Sequence, residues 1–321
     1  MNLDVQYLEK IENIDFKPIF IMGMHRSGTS ILYKMLTTSG CFNPVTVYHL
    51  IKYDQLLDDY ENKRQDIVKK KLTISFREQG LDDRGIDTLK ITADFAEEFG
   101  FFLDNKSSQT IITTNNLKYF DEMCKKITYV SGSNNPILLK NPYDFSNFIF
   151  IKKAFPNAQF VFIHRHPLKV LSSLLSATRL LFKEYNFYAS QISRLYNGLY
   201  ENPLSRYLFK YLTSSFSFFG LMLFCINSSK STKYYLKNIR KLPDDCFISI
   251  TYEELCNNPP QTMKHIFSKL NIKPKKKIDY NSFIKPRKTN LDPSVMFLKN
   301  FIYSSMKAYC KKFHYTLDNY I

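Results

Sequence analysis

Three cationic side chains each follow a short apolar run, a pattern typical of groups that bind phosphate or sulfate. Arg26 comes after the run PIFIM, Lys140 ends the run ILLK, and Arg165 comes directly after QFVFIH. If these runs are parallel β-strands, the three side chains emerge at the carboxyl ends of the strands, where open α/β sheets bind their ligands. Fixed positive charges at such an edge would stabilise an anionic group during its transfer. The sequence therefore predicts an anion-binding site whose fixed positive charges could also assist the transfer of an anionic group.

The segment around Arg26 has the form of a phosphate-binding loop. Gly23 and Gly28 bracket a turn, and the apolar spacing that follows predicts a helix beginning near Ser27. Backbone N–H groups at such a helix start bind anions, and hydroxyl groups stand beside them at Ser27, Thr29 and Ser30. The spacing fits G-x-x-x-x-G-K-[ST] except that Thr29 replaces the lysine. A nucleoside triphosphatase is therefore disfavoured, and a kinase-like phosphotransferase is kept only as an alternative.

Two blocks of the sequence resemble the sulfotransferases that use 3′-phosphoadenosine 5′-phosphosulfate as donor. The segment HRSGTS resembles their 5′-phosphosulfate loop, and Arg165 and Ser173 have the spacing of the arginine and serine that hold the donor's 3′-phosphate. The K-N-P at Lys140 resembles the K-D-P of the tyrosylprotein and related carbohydrate enzymes, and the Y-E-E-L at Tyr252 resembles a Y-E-D-L near the donor's adenine. The predicted donor-binding residues are Arg26, Ser27, Gly28, Thr29, Ser30, Arg165, Ser173, Tyr252, Arg287 and Lys288.

The resemblance implies transfer of a sulfuryl group to an acceptor hydroxyl on a glycan, lipid, peptide or small molecule. Arg26 and Lys140 are the predicted catalytic cations, since they could stabilise the leaving bisphosphate oxygen by fixed electrostatics. The pair His164 and His166 could face one side of a strand, but no third ligand is apparent. We therefore expect no metal.

The base that accepts the acceptor's proton has three candidates. Thr46 and Val47 stand about where the tyrosylprotein and carbohydrate enzymes usually have a carboxylate. His49 is the nearest group able to take a proton, and an unperturbed histidine pKa of about 6.5 suits a base at neutral pH. Asp54 and Glu98 are the alternatives. Glu98 lies in ADFAEEFGFFLDN, where solvated helix charges are the expected arrangement.

The elements that must position these residues form an alternating pattern of strands and helices. Strands near 18–23, 137–140, 159–163 and 247–250 predict an α/β fold, a three-layer parallel sheet of the P-loop nucleotide-kinase-like type with long helical insertions. We interpret the 321 residues as a single domain. Its donor-binding core comprises about 15–45, 135–177 and 245–290, and the inserted acceptor-side regions are about 46–134 and 178–244.

The net charge of +16 exceeds what one nucleotide donor needs. A non-catalytic basic protein that binds nucleic acid or a membrane surface is therefore the rival interpretation. The aromatic residues fall mainly in apolar runs and are not interleaved with Lys and Arg, so we expect no nucleic-acid partner. The six cysteines form no C-x-x-C pair and are interpreted as reduced thiols.

Residues 211–229 carry no charge, over nearly the length of a membrane span. Several Ser and Thr residues before Gly220 argue against a true span, so we expect a buried or acceptor-facing helix, with membrane-surface contact as the alternative. The first residues lack the pattern of a secretory signal. The expected location is cytoplasmic, with peripheral membrane association kept open.

Overall fold

A five-stranded parallel sheet lies at the centre of the computed structural model, which describes residues 2–81, 84, 90–214, 217–284 and 290–318. The strand order is β2-β3-β1-β4-β5. The strands are β1 (Pro18–Met22), β2 (Asn43–Pro44), β3 (Ile137–Lys140), β4 (Gln159–His164) and β5 (Phe247–Thr251). The predicted α/β fold and its four strands are confirmed. The edge strand β2 was not predicted, because two residues, one of them a proline, form no apolar run.

Helices follow or separate all of these strands. A 3₁₀ segment, Leu3–Ile11, precedes β1, and shorter 3₁₀ turns are Tyr53–Gln55, Pro142–Ser146, Ile239–Lys241, Asp244–Cys246 and Tyr280–Phe283. The α-helices of the described residues are α1 (Thr29–Thr38), α2 (Val47–Ile51), α3 (Leu56–Glu61), α4 (Gln65–Glu78), α5 (Phe99–Ser107), α6 (Leu117–Val130), α7 (Phe148–Ala154), α8 (Pro167–Lys183), α9 (Phe187–Ile192), α10 (Arg194–Glu201), α11 (Pro203–Thr213), α12 (Phe218–Asn238), α13 (Tyr252–Asn257), α14 (Pro259–Leu270), α15 (Pro293–Phe297), α16 (Lys299–Ser305) and α17 (Lys307–Lys312).

Alternating strand residues bury two opposite faces of the sheet, which produces the three layers. Ile19 and Ile21 of β1 pack in a core cluster with α1 and α14. Phe20 and Met22 pack in the other cluster, together with α6, α7 and α12. This alternation follows from the two-residue period of a strand. All five residues of β1 are buried, as expected of a central parallel strand.

The segment 211–229 differs from the single helix, buried or facing the acceptor, that we expected. It spans the end of α11 and the first half of α12, and these helices meet at an angle of 85°. A Cβ on Gly220 would lie 1.9 Å from the Leu212 carbonyl oxygen, so only glycine allows α12 to pack so closely on α11. No single helix within the described ranges is long and apolar enough to cross a membrane, although this bent pair meets the length and composition when taken together.

Candidate active site

Glycines let the loop after β1 pass close to its neighbours at the carboxyl edge of the sheet. A Cβ on Gly23 would lie 2.7 Å from the Ile163 carbonyl oxygen, and one on Gly28 would lie 2.4 Å from the Tyr252 ring. Gly28 also has a φ of +103°, which favours glycine. The helix α1 then begins at Thr29 with no side-chain cap. The N–H groups of its first turn are therefore oriented as in an anion-binding site.

The Ser27 hydroxyl supports this interpretation. Ser27 is completely buried, and its Oγ has no hydrogen-bond partner among the described residues. An unpaired buried polar group costs about 1–3 kcal/mol, so such groups call for an explanation. A phosphate or sulfate oxygen bound in the loop would supply the missing partner. The loop thus fits the group that the sequence predicted for it.

Arg26, Ser173 and Arg165 come together although they are far apart in sequence. Arg26 has a φ of +68°, a conformation that non-glycine residues seldom adopt. Its Nε donates to Ser173 Oγ on α8 at 3.0 Å, and Arg165 Nη1 donates to the Arg26 carbonyl oxygen at 2.9 Å. The Arg165 guanidinium also lies 4.2 Å from the centre of the Tyr252 ring. The structure therefore brings four predicted donor-binding residues into one cluster.

Lys140 lies on the other side of the start of α1. Its Nζ is 3.1 Å from Ser30 Oγ and 3.0 Å from Glu98 Oε1, and its side chain is almost completely buried. Both partners hold the ammonium group in place beside the first turn of α1. A buried cation and carboxylate at the edge of the sheet where ligands bind make this a candidate site for chemistry.

Glu98 reaches Lys140 because backbone contacts join the segment before α5 to the residues that directly follow β2. Thr46 and Ala96 form an isolated bridge, and Glu97 N–H donates to the Val45 carbonyl at 2.9 Å. Glu98 is the residue that precedes α5, not a residue on its solvated face. The expectation of solvated charges at Glu97 and Glu98 was therefore wrong, since both are buried.

The electrostatics keep Glu98 ionised. Burial alone would raise the pKa of its carboxyl, but the charges of Lys140, His25 and Arg84 more than offset burial and hold that pKa below its usual value. A carboxylate that is ionised at neutral pH, buried, and beside the predicted anion loop can accept a proton from a substrate. Glu98 was only an alternative in the sequence-based assignment, because its distance from Lys140 depends on the fold of the whole first insertion.

His25 was not singled out by sequence reasoning, although it lies next to Arg26. Its ring packs against Tyr143, with centroids 4.4 Å apart, and its Nε2 is buried without a hydrogen-bond partner in the described part of the chain. Burial lowers the pKa of His25, and Lys140 and Arg26 lower it further against the opposing effect of Glu98. The signal that could have found it is its position inside the glycine-bracketed loop.

His49 has a different role in this structure. It occupies the third position of α2, where its Nδ1 accepts from Thr46 N–H at 3.1 Å and completes a capping box. Burial, and then the charge of Lys69, lowers the pKa of His49 to about 3. The expected pKa near neutrality is therefore wrong. Its assignment as the base stays a prediction, but the lone pair that a base would use already serves the helix cap.

The remaining predicted residues have these positions. Asp54 forms an ion pair with Lys106 at 2.9 Å. His164 Nδ1 lies 3.0 Å from the Tyr309 hydroxyl, and His166 contacts the Thr316 carbonyl oxygen through Nε2 at 2.8 Å. Among the described residues no group of three or more His, Cys, Asp or Glu side chains could hold a metal ion. Arg287 and Lys288 lie outside the described residues.

Comparisons with known proteins agree with this fold. The structure is similar to sulfotransferase STF1 from Mycobacterium tuberculosis, with a TM-score of 0.61 at 13% identity over 95% of this chain and 80% of that one. It is also similar to sulfotransferase STF9 from Mycobacterium avium, with a TM-score of 0.57 at 14% identity over 98% of this chain and 81% of that one. No curated protein matched the sequence. The model of the Sulfotransferase family matches residues 18–209, which include the loop, Lys140, Arg165 and Ser173, and the chain therefore belongs to the sulfotransferase family.

Proposed function

We propose that this sulfotransferase moves a sulfuryl group from 3′-phosphoadenosine 5′-phosphosulfate to an acceptor hydroxyl, with Glu98 as the base. The observation that carries the proposal is the position of Lys140 Nζ, 3.1 Å from Ser30 Oγ and 3.0 Å from Glu98 Oε1. A cation for the leaving oxygen and a carboxylate for the acceptor's proton are thus adjacent, beside a loop suited to an anion.

The donor would be held at both of its charged ends. The N–H groups at the start of α1, the Ser27 hydroxyl and Arg26 suit the 5′-phosphosulfate. Arg165 and Ser173 suit the 3′-phosphate, and Tyr252, whose ring contacts the Arg165 guanidinium, suits the adenine side. Because Arg26 Nε also donates to Ser173 Oγ, a hydrogen bond connects the residues at the two ends of the donor site.

Two residues have distinct roles during transfer. As the bond between sulfur and the phosphate oxygen breaks, Lys140 donates to that oxygen and stabilises its growing negative charge. As the acceptor oxygen forms its bond to sulfur, Glu98 takes the hydroxyl proton. In the structure Lys140 and Glu98 neutralise each other. A donor that engages Lys140 would release the carboxylate for the acceptor, so binding of one substrate prepares the base for the other.

The test compares two neighbouring carboxylates, Glu98→Gln and Glu97→Gln. Both are buried, but Glu97 contacts the Tyr188 hydroxyl at 2.6 Å and Arg84 at 3.5 Å instead of Lys140. We expect Glu98→Gln to slow transfer by roughly 10²- to 10⁴-fold. Its affinity for adenosine 3′,5′-bisphosphate should stay equal or rise, because Lys140 is then free to bind phosphate. The matched variant Glu97→Gln should keep most of its activity.

Transfer can be followed with labelled donor and a panel of glycan, lipid, peptide and small-molecule alcohols. A Glu98→Gln protein that binds the bisphosphate and transfers at the original rate would rule out Glu98 as the base. Loss of bisphosphate binding in both variants, by contrast, would show that the change disturbs the fold of the site, and the shorter side chain of Glu98→Asp would then be compared in its place.

A further inference from the structure

The helix α11 directs an apolar stripe toward solvent. Leu204, Tyr207, Leu208 and Tyr211 recur at intervals of three, four and seven residues, which places them on one side of a helix. All four are exposed, with Leu204 at 76% and Tyr207 at 72%. In a helix that only supports a globular core, such a stripe faces inward. The exposed stripe therefore needs a function other than core packing.

The first half of α12, which follows α11 across the 85° bend, also exposes apolar residues. Its exposed apolar residues are Phe218, Phe219, Met222, Leu223 and Ile226, which also share one side of the helix. The Phe218 ring lies 5.2 Å from that of Phe297, at the end of α15, and Phe297 is 75% exposed. We call the exposed apolar residues of α11, α12 and α15 the apolar face. Contiguous exposed apolar surfaces of this kind mark interaction sites.

The charges around the apolar face are mainly basic, with Glu201, directly before α11, as an exception. Between 202 and 243 the sequence has no Asp or Glu, whereas Arg206, Lys210, Lys230, Lys233, Lys237, Arg240 and Lys241 are basic. The segment 293–317, which contains α15, α16 and α17, also lacks Asp and Glu and contains four lysines. Asp292, which precedes it, is buried and paired with Arg179. An apolar face with a mainly basic surround is complementary to an anionic, partly apolar partner.

We propose that the apolar face docks on the surface of a membrane that contains anionic lipids. Aromatic and aliphatic side chains would enter the boundary between headgroups and acyl chains, and the surrounding lysines would pair with lipid phosphates and carboxylates. A second copy of the chain fits less well, because an apolar contact between two such faces brings the two basic surrounds together. The 85° bend between α11 and α12 suits helices that lie along a surface.

The apolar face is connected to the donor site through α8. Arg179 of α8 donates to the Thr213 carbonyl oxygen at the end of α11 and pairs with Asp292 before α15. Ser173, which contacts Arg26, lies six residues earlier on the same helix, about 9 Å along its axis. Docking would therefore attach the membrane to α8, the helix that also carries Ser173 of the donor site.

Vesicle sedimentation with the full chain tests the proposal. The probes are vesicles of phosphatidylcholine alone and of phosphatidylcholine mixed with phosphatidylserine. One variant replaces three exposed residues of the apolar face, Leu204→Ser, Tyr207→Ser and Phe219→Ser, and its control replaces exposed residues elsewhere, Val5→Ser and Ile67→Ser. Binding of bisphosphate to each variant checks that it is folded.

A second pair of variants separates the role of charge. Lys210→Glu, Lys230→Glu and Lys233→Glu reverse charges beside the apolar face. Their control reverses three exposed lysines in the layer of α14, on the opposite side of the sheet, through Lys264→Glu, Lys273→Glu and Lys277→Glu. The net charge is the same in both proteins, so a difference between them measures position and not total charge.

The expected result is binding that requires phosphatidylserine and that weakens by about 100-fold or more in the serine variant and in the first lysine variant, but by much less in either control. Equal loss in the two lysine variants would mean nonspecific attraction and overturn the proposal. A wild-type protein that binds neither kind of vesicle would also overturn the proposal. A wild-type dimer that becomes monomeric in the serine variant, without vesicle binding, would assign the apolar face to a second copy instead.

Discussion

Replacement of His49 by glutamine separates the two roles that this residue has been given. In the structure His49 Nδ1 accepts from Thr46 N–H as part of a capping box. A glutamine at this third helical position can accept the same hydrogen bond, but it does not titrate. We therefore expect His49→Gln to keep the cap, to keep transfer activity, and to lose one source of acid sensitivity.

The magnitude follows from the pKa of His49, which burial and Lys69 lower to about 3. In the unfolded chain the pKa returns to about 6.5. Because the folded pKa is the lower one, the unfolded state binds the proton first as the pH falls, so the free energy of unfolding declines between about pH 6.5 and about pH 3. The decline is about 1.4 kcal/mol per pH unit, or roughly 3 kcal/mol at about pH 4.5.

Urea unfolding of both proteins at neutral pH and at about pH 4.5 measures this difference. Other titrating groups contribute to both proteins and cancel in the comparison, so His49→Gln should gain roughly 3 kcal/mol relative to wild type on acidification. Parallel pH dependences would refute the buried, neutral histidine. A folded His49→Gln protein that binds donor but transfers roughly 10²-fold more slowly or worse would make His49 the base and contradict Glu98.

Three further variants test the donor site. Arg26→Ala should abolish donor binding, because it removes a guanidinium from the loop and its hydrogen bond to Ser173, and unchanged affinity by titration would end the loop's assignment. Ser173→Ala should weaken adenosine 3′,5′-bisphosphate by roughly tenfold but adenosine 5′-phosphate much less, since it removes about one charge-assisted hydrogen bond to the 3′ group; equal losses would make Ser173 structural. Lys140→Ala should lower kcat more than it raises the KM for donor in steady-state kinetics, and a pure KM effect would reduce Lys140 to a binding residue.

The local patterns in the sequence were sufficient to predict the sheet and the position of the glycine-bracketed loop after β1. The segments that form β1, β3, β4 and β5 are buried in the central sheet. Each of them can be recognised by itself as a short run of apolar residues. The two glycines of the loop were visible in the sequence as a bracketed turn. The structure gives the reason for them, since the close approach to Ile163 and Tyr252 excludes a side chain at each. Arg165 and Ser173 were proposed because their spacing resembles that of the sulfotransferase arginine and serine, and in the structure one turn and the start of α8 connect them.

The proposed base, Glu98, and the apolar face depend on contacts that no local pattern contains. Glu98 reaches Lys140 across 42 positions of sequence, and only the fold of the first insertion decides that it is buried there. The charge-free segment 211–229 suggested one helix, but Gly220 and the packing of Leu212 produce a bend that leaves one side exposed. The resemblance to the tyrosylprotein branch and the cytoplasmic location stay predictions.

Calorimetric titration of the wild-type protein with adenosine 3′,5′-bisphosphate and with adenosine 5′-phosphate tests the central claim most directly. The loop and Ser27 would bind the 5′ group of either nucleotide, but Arg165 and Ser173 can engage only the bisphosphate at its 3′ end. We predict saturable one-to-one binding of both, with the bisphosphate at least about tenfold tighter. Equal affinities, or no binding of the bisphosphate, would contradict the assignment of this site to the sulfuryl donor.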